Sequence, residues 1–492
     1  MFYYIGVDLG TSSLKLMLVN SCGKIMNTVN REYDINYPKP GWSEQLAQDW
    51  WYAFLDGTSE LLKDFDSSLV KGIGVAGQMH GLVLLDENDN CIRPVILWND
   101  GRTGQQTEYL NEVVGKNKLS EYTANIAFAG FTAPKILWMK ENEPENFRKI
   151  NKIMLPKDYI NYKLTGVHCT DYSDASGMLM LDVKNKCWSK EMLEICGVTE
   201  AQMPKLYESY EMVGTLLPEI AEKLGLPQDI TIVAGAGDNA AAAVGTGTVS
   251  NGMCNISIGT SGTIFISSDK FSVDPFNALH SFCHADGGYH LMGCMLSAAS
   301  CNKWLCDNIL KASDYVSEQE NITDDMLGNN DVFFLPYLMG ERSPINDTDA
   351  RGTFTGLRMD TKRSDLVQAV LEGVAFAIRD SFEVARNLGI KVDYSSLCGG
   401  GAKSSLWQKI FCNVLNIKIG IPQTEEGPGY GGAILAMVGN GEYDTVKDCC
   451  DRLVKIKKII EPNNNLVARY EEKYRKFKKI YPSMKELFKE IK

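Results

Sequence analysis

The stretch "FYYIGVDLGTSSLKLMLVN", residues 2–20, decides how the rest of the chain is read. Aromatic and aliphatic residues run up to Leu9. Gly10, Thr11, Ser12 and Ser13 then form a turn, and "LKLMLV" resumes the β-prone pattern, so strand, tight turn and strand are expected. A turn of Gly, Thr and Ser presents backbone N–H groups and hydroxyls together, a nest suited to phosphate oxygens. Asp8 ends the first strand, where a carboxylate can hold Mg²⁺ directly or through water. Lys15 lies on the returning strand and can point back. Ordinary hairpins also carry such turns, so a second observation is needed.

That observation lies about half the chain downstream. "NISIGTSGTIFIS" (255–267) again sets Gly-Thr-Ser between two β-prone runs, aligning Gly259, Thr260 and Ser261 with Gly10, Thr11 and Ser12. The second copy has Ser257 in the place of Asp8. Two phosphate-cradling hairpins with one carboxylate point to one metal between them. The imperfect repeat predicts two related domains, 1–248 and 249–492, divided near "GTGTVSNG" (245–252). A chain of 492 residues also exceeds what one core usually fills.

Strands and helices alternate outward from the first hairpin. "EQLAQDWWYAFLDGTSELLK" (44–63) reads as a helix with Trp50, Trp51, Phe54 and Leu55 on one face. "DFDSSLVKGIGVAG" (64–77) reads as a loop entering a third strand. The class is therefore α/β. The tail "YEEKYRKFKKIYPSMKELFKEIK" (470–492) reads as one charged amphipathic helix packed on the body.

Composition narrows the partners. A net charge of −12 argues against a nucleic-acid backbone or an anionic membrane as main partner, while local amides can still receive a small anion. No apolar run reaches the length of a membrane span, and Asp8 comes too early for a signal-peptide core. Fourteen Cys are scattered without a CxxC pair, as in reduced cytosolic proteins, so a cytoplasmic location is expected. The cluster "HSFCHADGGYH" (280–290) holds His280, Cys283, His284 and His290. Its alternation and paired glycines fit a β-hairpin better than a closed zinc site.

Three further stretches can carry chemistry. In "SSLCGGGAKSSLWQ" (395–408), Gly399, Gly400 and Gly401 precede Ala402 and a helix opening near Ser404. Glycines let a flat ligand lie against backbone, and the helix N-terminus favours phosphates. "GVAGQMHGLVLLD" (74–86) ends a strand on Gln78, Met79 and His80, and "ILWNDGRT" (96–103) ends one on Trp98, Asn99, Asp100 and Arg102. Such polar strand ends offer donors and acceptors to a polyhydroxy ligand. In "GAGDNAAAAVG" (235–245), Asp238 has three readings: a helix N-cap, part of a dinucleotide fingerprint, or a working acid/base. A carboxylate where a pyrophosphate should approach disfavours the fingerprint, and local sequence favours the cap.

The set "DLGTSSLK", "GQMHG", "WNDGR", "GFTAPKILWMKEN", "GDN", "SIGTSG" and "GGGAKS" resembles the FGGY carbohydrate kinases over residues 1 to about 440. "WSEQ", "ILWNDGR", "LPKDY" and "LSAASC" bring it closest to the branch that acts on D-xylulose. The resemblance implies two domains of the hexokinase, actin and chaperone-ATPase type with an active-site cleft between them. It implies ATP and Mg²⁺, with Asp8 at the metal. Thr11, Ser12, Lys15, Gly259, Thr260, Ser261, Gly399, Gly400, Gly401 and Ala402 would face the nucleotide. Gln78, Met79, His80, Trp98, Asp238 and Asn239 would face the sugar, with Asp238 as catalytic base, kept ionised by its helix N-terminus. Phosphoryl transfer from ATP to the O5 hydroxyl of D-xylulose follows, and a homodimer is the family's expectation. A kinase of another ketose or polyol, a chaperone-like ATPase and an NAD-dependent oxidoreductase are the competing readings. Two positions depart from the family: Asn413 stands where relatives carry Asp, and Gly429-Tyr430-Gly431-Gly432 replaces the usual Gly-Ala, so Tyr430 either meets the adenine edge or packs.

Overall fold

The computed structural model describes residues 1–492 apart from Ser313, Glu425 and Lys492; Glu425 opens the "EEGPGYGGAILA" stretch, so that residue of it lies outside the described ones. Two seven-stranded sheets organise the chain. In the first, the order is Met212–Thr215, Thr231–Val233, Val70–Gly77, Tyr3–Leu9, Ser13–Asn20 and Ile25–Glu32, with Ala236–Gly237 also paired to Val70–Gly77. In the second it is Ile456–Ile460, Lys418–Pro422, Tyr394–Cys398, Met253–Ile258, Gly262–Ser268, Tyr289–Met295 and His280–Cys283.

The two orders share one topology over five consecutive strands and differ at their edges. Tyr3–Leu9 runs antiparallel to its hairpin partner and parallel to Val70–Gly77; Met253–Ile258 runs antiparallel to its own partner and parallel to Tyr394–Cys398. The internal repeat read from two turns thus extends to five strands of each sheet. Within the hairpins the copies diverge. Leu9 faces Leu14 and Asp8 faces Lys15, whereas Ile258 faces Gly262 and Ser257 faces Thr263. The second turn is shorter by one residue, and a one-residue slip moves side chains to the other face.

Local elements follow the sequence with two differences. The Ala47–Leu61 helix buries Trp50, Trp51, Phe54 and Leu55 as its spacing predicts. The strand Ile25–Glu32 intervenes before Val70–Gly77, so the latter is not the third strand; the half-exposed Ile25–Glu32 alternates too weakly to be read as strand. The tail forms two helices, Asn464–Phe477 and Ile480–Glu490, not one. Pro482 lacks an N–H and is tolerated only in a first helical turn, which forces the second helix to start there.

Each sheet has its own apolar core, and a separate core of Leu82, Ile96, Phe131, Ile136, Leu155 and Met178 supports the segment between residues 79 and 203. A further cluster joins the halves: Tyr4, Ala76, Ala240 and Val244 pack with Tyr430, Ala433, Ile434 and Met437 of the Gly427–Gly439 helix. The contact is made by backbone. A Cβ on Gly6 would strike the Gly429 carbonyl, one on Gly74 the Gly432 carbonyl, and one on Gly431 the Ala241 carbonyl. Among the described residues, no helix is long and apolar enough to cross a membrane.

Candidate active site

The Asp238–Gly245 helix begins at the seam between the halves. Its N-cap is Gly237, with Asp238 already in the first turn, which corrects the cap reading. The Asp238 carboxylate turns back on its neighbour instead: Oδ1 accepts from the Asn239 backbone N–H at 2.7 Å and from Asn239 Nδ2 at 2.9 Å. A dipeptide cannot cap both itself and the helix, and the run of small residues leaves room for the fold-back.

Asp238 keeps residual exposure at the floor of the cleft. Desolvation there, reinforced by the nearby Asp8 carboxylate, lifts its pKa to about 7. The helix terminus does not keep it fully ionised at neutral pH, contrary to expectation, because burial and a like charge outweigh a half-charge at the helix end. A carboxylate of that basicity is suited to taking a proton near neutrality.

Asp8 and Lys15 stand opposite each other in the first hairpin. Burial raises Asp8 to about 6; Lys15 opposes the rise and Glu426 adds to it. Lys15 Nζ donates to Glu426 at 2.8 Å, at the start of the Gly427–Gly439 helix. The Thr11–Ser12 turn is braced from below. Gln45 Nε2 donates to the Thr11 carbonyl at 2.6 Å, and the Tyr33 hydroxyl donates to the Gly10 carbonyl at 2.6 Å. Gln78, only 2 % exposed, belongs to this brace: its amide donates to Gly10 at 3.4 Å and to Gln45 at 3.3 Å. Its amide nitrogen supports the turn, while its buried Oε1 has no hydrogen-bond partner among the described residues.

The second hairpin presents Gly259, Thr260 and Ser261 at its tip, with Thr260 and Ser261 exposed. Its carbonyls are tied to the helix after "LSA": Ala299 N donates to Gly259 and Ala298 N to Thr260, each at 2.9 Å. The glycine run lies alongside. Gly399 has φ +85° and its missing Cβ leaves room for the Ile258 carbonyl, so only glycine fits. Gly399 and Gly400 are exposed and Gly401 partly so; Ala402 is covered, at 6 % exposure. Ser404 caps the following helix by accepting from Trp407 N at 3.1 Å.

Of the residues expected to face the sugar, Met79 meets Asn239. Met79 is buried with its sulfur 4.0 Å from Asn239 Nδ2. His80 holds φ +69° and its Nδ1 donates to the Gly177 carbonyl at 2.7 Å. Burial, with the Lys135 and Arg342 charges, lowers its pKa to about 3, so the ring is neutral and its Nε2 lone pair is left to accept. Trp98 is 46 % exposed and its indole donates to Thr11 Oγ1 at 2.9 Å, tying the 96–103 stretch to the turn of the first hairpin.

Asp100 and Arg102 are corrected. Arg102 pairs with Asp100 and Glu44 at 2.7 Å each, the three side chains buried, and lies 3.7 Å over the half-buried Trp42 ring. Both side chains are spent on fastening the loop. Asn413 is also internal: it accepts from Asn463 N at 2.7 Å, joining two helices. Tyr430 packs, 3 % exposed, with its hydroxyl donating to Gly23 at 2.9 Å. His280, Cys283 and His290 lie in the predicted hairpin, with His290 stacked on Phe265 at 3.8 Å.

Sequence reading missed the layer below Asp238. Lys157 Nζ, fully buried, donates to Asp158 at 2.6 Å and reaches Asp171 at 2.9 Å and Asp174 at 3.8 Å. Burial alone would depress this lysine; the three carboxylates hold it above its usual value. Asp171 accepts from Ser173 Oγ at 2.5 Å, and Ser173 Oγ accepts from Gly237 N at 3.2 Å, fixing the backbone just before Asp238. Only burial distinguishes these residues from surface charges, and burial is not written in one local stretch.

The chain matches the FGGY family of carbohydrate kinases, N-terminal domain, over residues 3–245, and the C-terminal domain of the same family over residues 254–439. It is 39% identical to the xylulose kinase of Escherichia coli K12 over 98% of this chain and 99% of that protein. It is 35% identical to the xylulose kinase of Bacillus subtilis 168 over 99% and 98%. A crystal structure of a xylulose kinase from Brucella ovis superposes with TM-score 0.93 at 39% identity, covering 99% of this chain and 100% of that one. A gluconate kinase from Lactobacillus acidophilus superposes with TM-score 0.94 at 25% identity, covering 100% and 99%. The repeated sheet topology, the paired hairpins and these likenesses converge: the chain belongs to the FGGY family of carbohydrate kinases and is a sugar phosphotransferase of the two-domain α/β type.

Proposed function

We propose that the protein transfers the γ-phosphoryl group of ATP to the O5 hydroxyl of D-xylulose, giving D-xylulose 5-phosphate and ADP. The observation that carries this reading is Asp238, with its pKa near 7, set between the Asp8–Lys15 hairpin and the wall of His80 and Asn239. The relatives named above as xylulose kinases support the sugar.

In the proposed reaction Asp238 takes the proton of the O5 hydroxyl as the O5–phosphorus bond forms, and ADP departs with the electron pair of the broken bond. The transition state is loose, so the base must be well placed more than strong. Asn239 holds the carboxylate in position, and neutral His80 accepts a hydrogen bond from a sugar hydroxyl at Nε2. The hairpin amides with Lys15 receive the γ-phosphate, while Thr260, Ser261 and the Gly399–Gly401 run receive the rest of the nucleotide.

The donor set fits Mg²⁺ carried in with the nucleotide. Among the described residues no cluster of three ligating side chains forms a protein cage, and Mg²⁺ typically takes one or two carboxylates plus phosphates and water. Asp8 would hold it, and a cation there would reverse the desolvation that raises its pKa. When bound, Mg²⁺ neutralises charge on the β- and γ-phosphates. Division into domains at 248/249, a homodimer and a cytoplasmic location complete the proposal.

The test is a coupled ADP-release assay over D-xylulose, D-ribulose, D-gluconate, glycerol and xylitol, with ³¹P NMR locating the new phosphate. D-Xylulose should give the highest kcat/KM, with phosphate on C5. Another winner would overturn the sugar and leave the kinase standing.

A further inference from the structure

One cation reaches the sugar side from the second half of the chain. Ser343 N donates to the Cys294 carbonyl at 2.9 Å, docking the 340–344 loop against the end of the Tyr289–Met295 strand. Glu341, buried, accepts from Leu296 N at 2.9 Å and from Arg342 N at 2.7 Å, so the loop is held by its own carboxylate on both sides. Arg342 is thereby aimed across the cleft at the first half.

Its guanidinium lies 4.2 Å above the Phe128 ring and 5.8 Å from Phe131. Phe131 in turn lies 4.7 Å from the His80 ring, and His80 follows Met79, whose sulfur meets Asn239. Arg342 Nε is buried and, among the described residues, has no hydrogen-bond partner. Beside these contacts His80, Phe128, Cys294, Asp238, Asn239 and Arg342 all keep partial exposure. The Cys294 thiol feels the charges of Arg342, Glu341 and Asp238 together, as a residue between them would.

We propose that Arg342 reads the ketose: its fork donates to the C2 carbonyl and the adjoining hydroxyl oxygen of an open-chain ketose lying against His80 and Phe128, and so sets the preference for a ketose over a polyol. This rests on the sugar-kinase reading above and names a specificity determinant within it. A guanidinium only donates, and its planar fork matches two acceptors held in one plane. An α-hydroxy ketone supplies such a pair. A polyol supplies hydroxyls whose lone pairs are not fixed in a plane and whose protons need acceptors that Arg342 lacks. Stacking on Phe128 holds the fork rigid and keeps water from its faces.

The experiment compares wild type with R342M and R342K on D-xylulose, D-ribulose, xylitol and D-gluconate, with KM for ATP, sugar-free ATP hydrolysis and thermal melting read alongside. R342M should lower kcat/KM for D-xylulose by about 30-fold, as loss of a charge-assisted pair implies, and that for xylitol by about threefold at most. The ketose-to-polyol ratio should collapse by about tenfold while KM for ATP stays within about twofold, because no nucleotide contact is removed. R342K, which keeps the charge without the fork, should lose most of the same ratio, and it carries the test alone if R342M does not fold. An unchanged ratio in either folded variant overturns the proposal. A wild type that prefers D-gluconate also overturns it, since the fork would then read a carboxylate. A wild type inactive on every sugar overturns the sugar-kinase reading itself, before any variant is compared.

Discussion

Lys15 and Glu426 stand 411 positions apart in the chain and are joined by a 2.8 Å ion pair at the foot of the cleft. Both side chains are about one-third exposed, at 35% and 34%, so the pair adds little to stability, about 0–1 kcal/mol. Its weight falls on the nucleotide. Glu426 competes with a phosphate for the same ammonium and adds negative charge beside Asp8. E426Q should therefore leave the melting temperature almost unchanged and lower KM for ATP by about threefold, while K15M should raise it by about tenfold or more, as loss of a charged contact does. A rise in KM for ATP in E426Q would show that Glu426 helps hold the nucleotide's metal instead of restraining Lys15.

Replacing Asp238 removes the proposed proton acceptor. D238N and D238A should lower kcat by about 10²–10⁴-fold, the usual worth of general-base catalysis, with KM for ATP within a fewfold of wild type. Rapid-quench single turnovers would separate chemistry from product release. Turnover within about tenfold of wild type in D238A would remove Asp238 from that role.

The pH dependence follows from two carboxyl groups that must be ionised to work. Asp238 titrates near 7 and Asp8 near 6, so kcat/KM should be full in mild alkali and fall as pH drops through 7, steepening below 6. The two groups repel, so the profile reports the pair. Stability runs the opposite way. An unfolded Asp releases its proton near 3.8, so between there and 7 the native state binds more protons, and this site's contribution falls as pH rises. D238N should thus melt higher than wild type at about pH 8, by about 1–3 °C, and lose that advantage at about pH 5.

Lys157 is the one cation against three buried aspartates beneath the active site, two of which, Asp158 and Asp174, burial pushes above the usual carboxylate range. Removing one partner of a buried ion cluster leaves charge uncompensated, so K157M should destabilise the protein by about 3–5 kcal/mol in urea titrations. A loss under about 1 kcal/mol would mean that the carboxyls are already protonated in the native protein.

How much of this was legible depended on whether the signal was local. The first hairpin, the Trp-rich helix and the helix opening near Ser404 are written in adjacent residues and turned out as read. The sheet repeat showed only at two turns, because a fold repeats its hydrogen-bond pattern without repeating side chains. Family likeness then picked out Asp238, which local preference had assigned to a cap. What stayed hidden were contacts between distant segments: Glu426 on Lys15, Gln78 turned under the phosphate turn, Arg102 locked over Trp42, and Arg342 aimed across the cleft. Each side chain's type is evident in sequence, but its direction is set by packing.

The glycines where the Gly427–Gly439 helix crosses Gly6, Gly74 and Ala241 have one more consequence. At these crossings main chain lies on main chain, and even a methyl group would meet a carbonyl oxygen. The side chains of Tyr430, Ile434 and Met437 grip the first half around them. Drift at these glycines would therefore pry the halves apart without altering any of the residues proposed to touch a substrate.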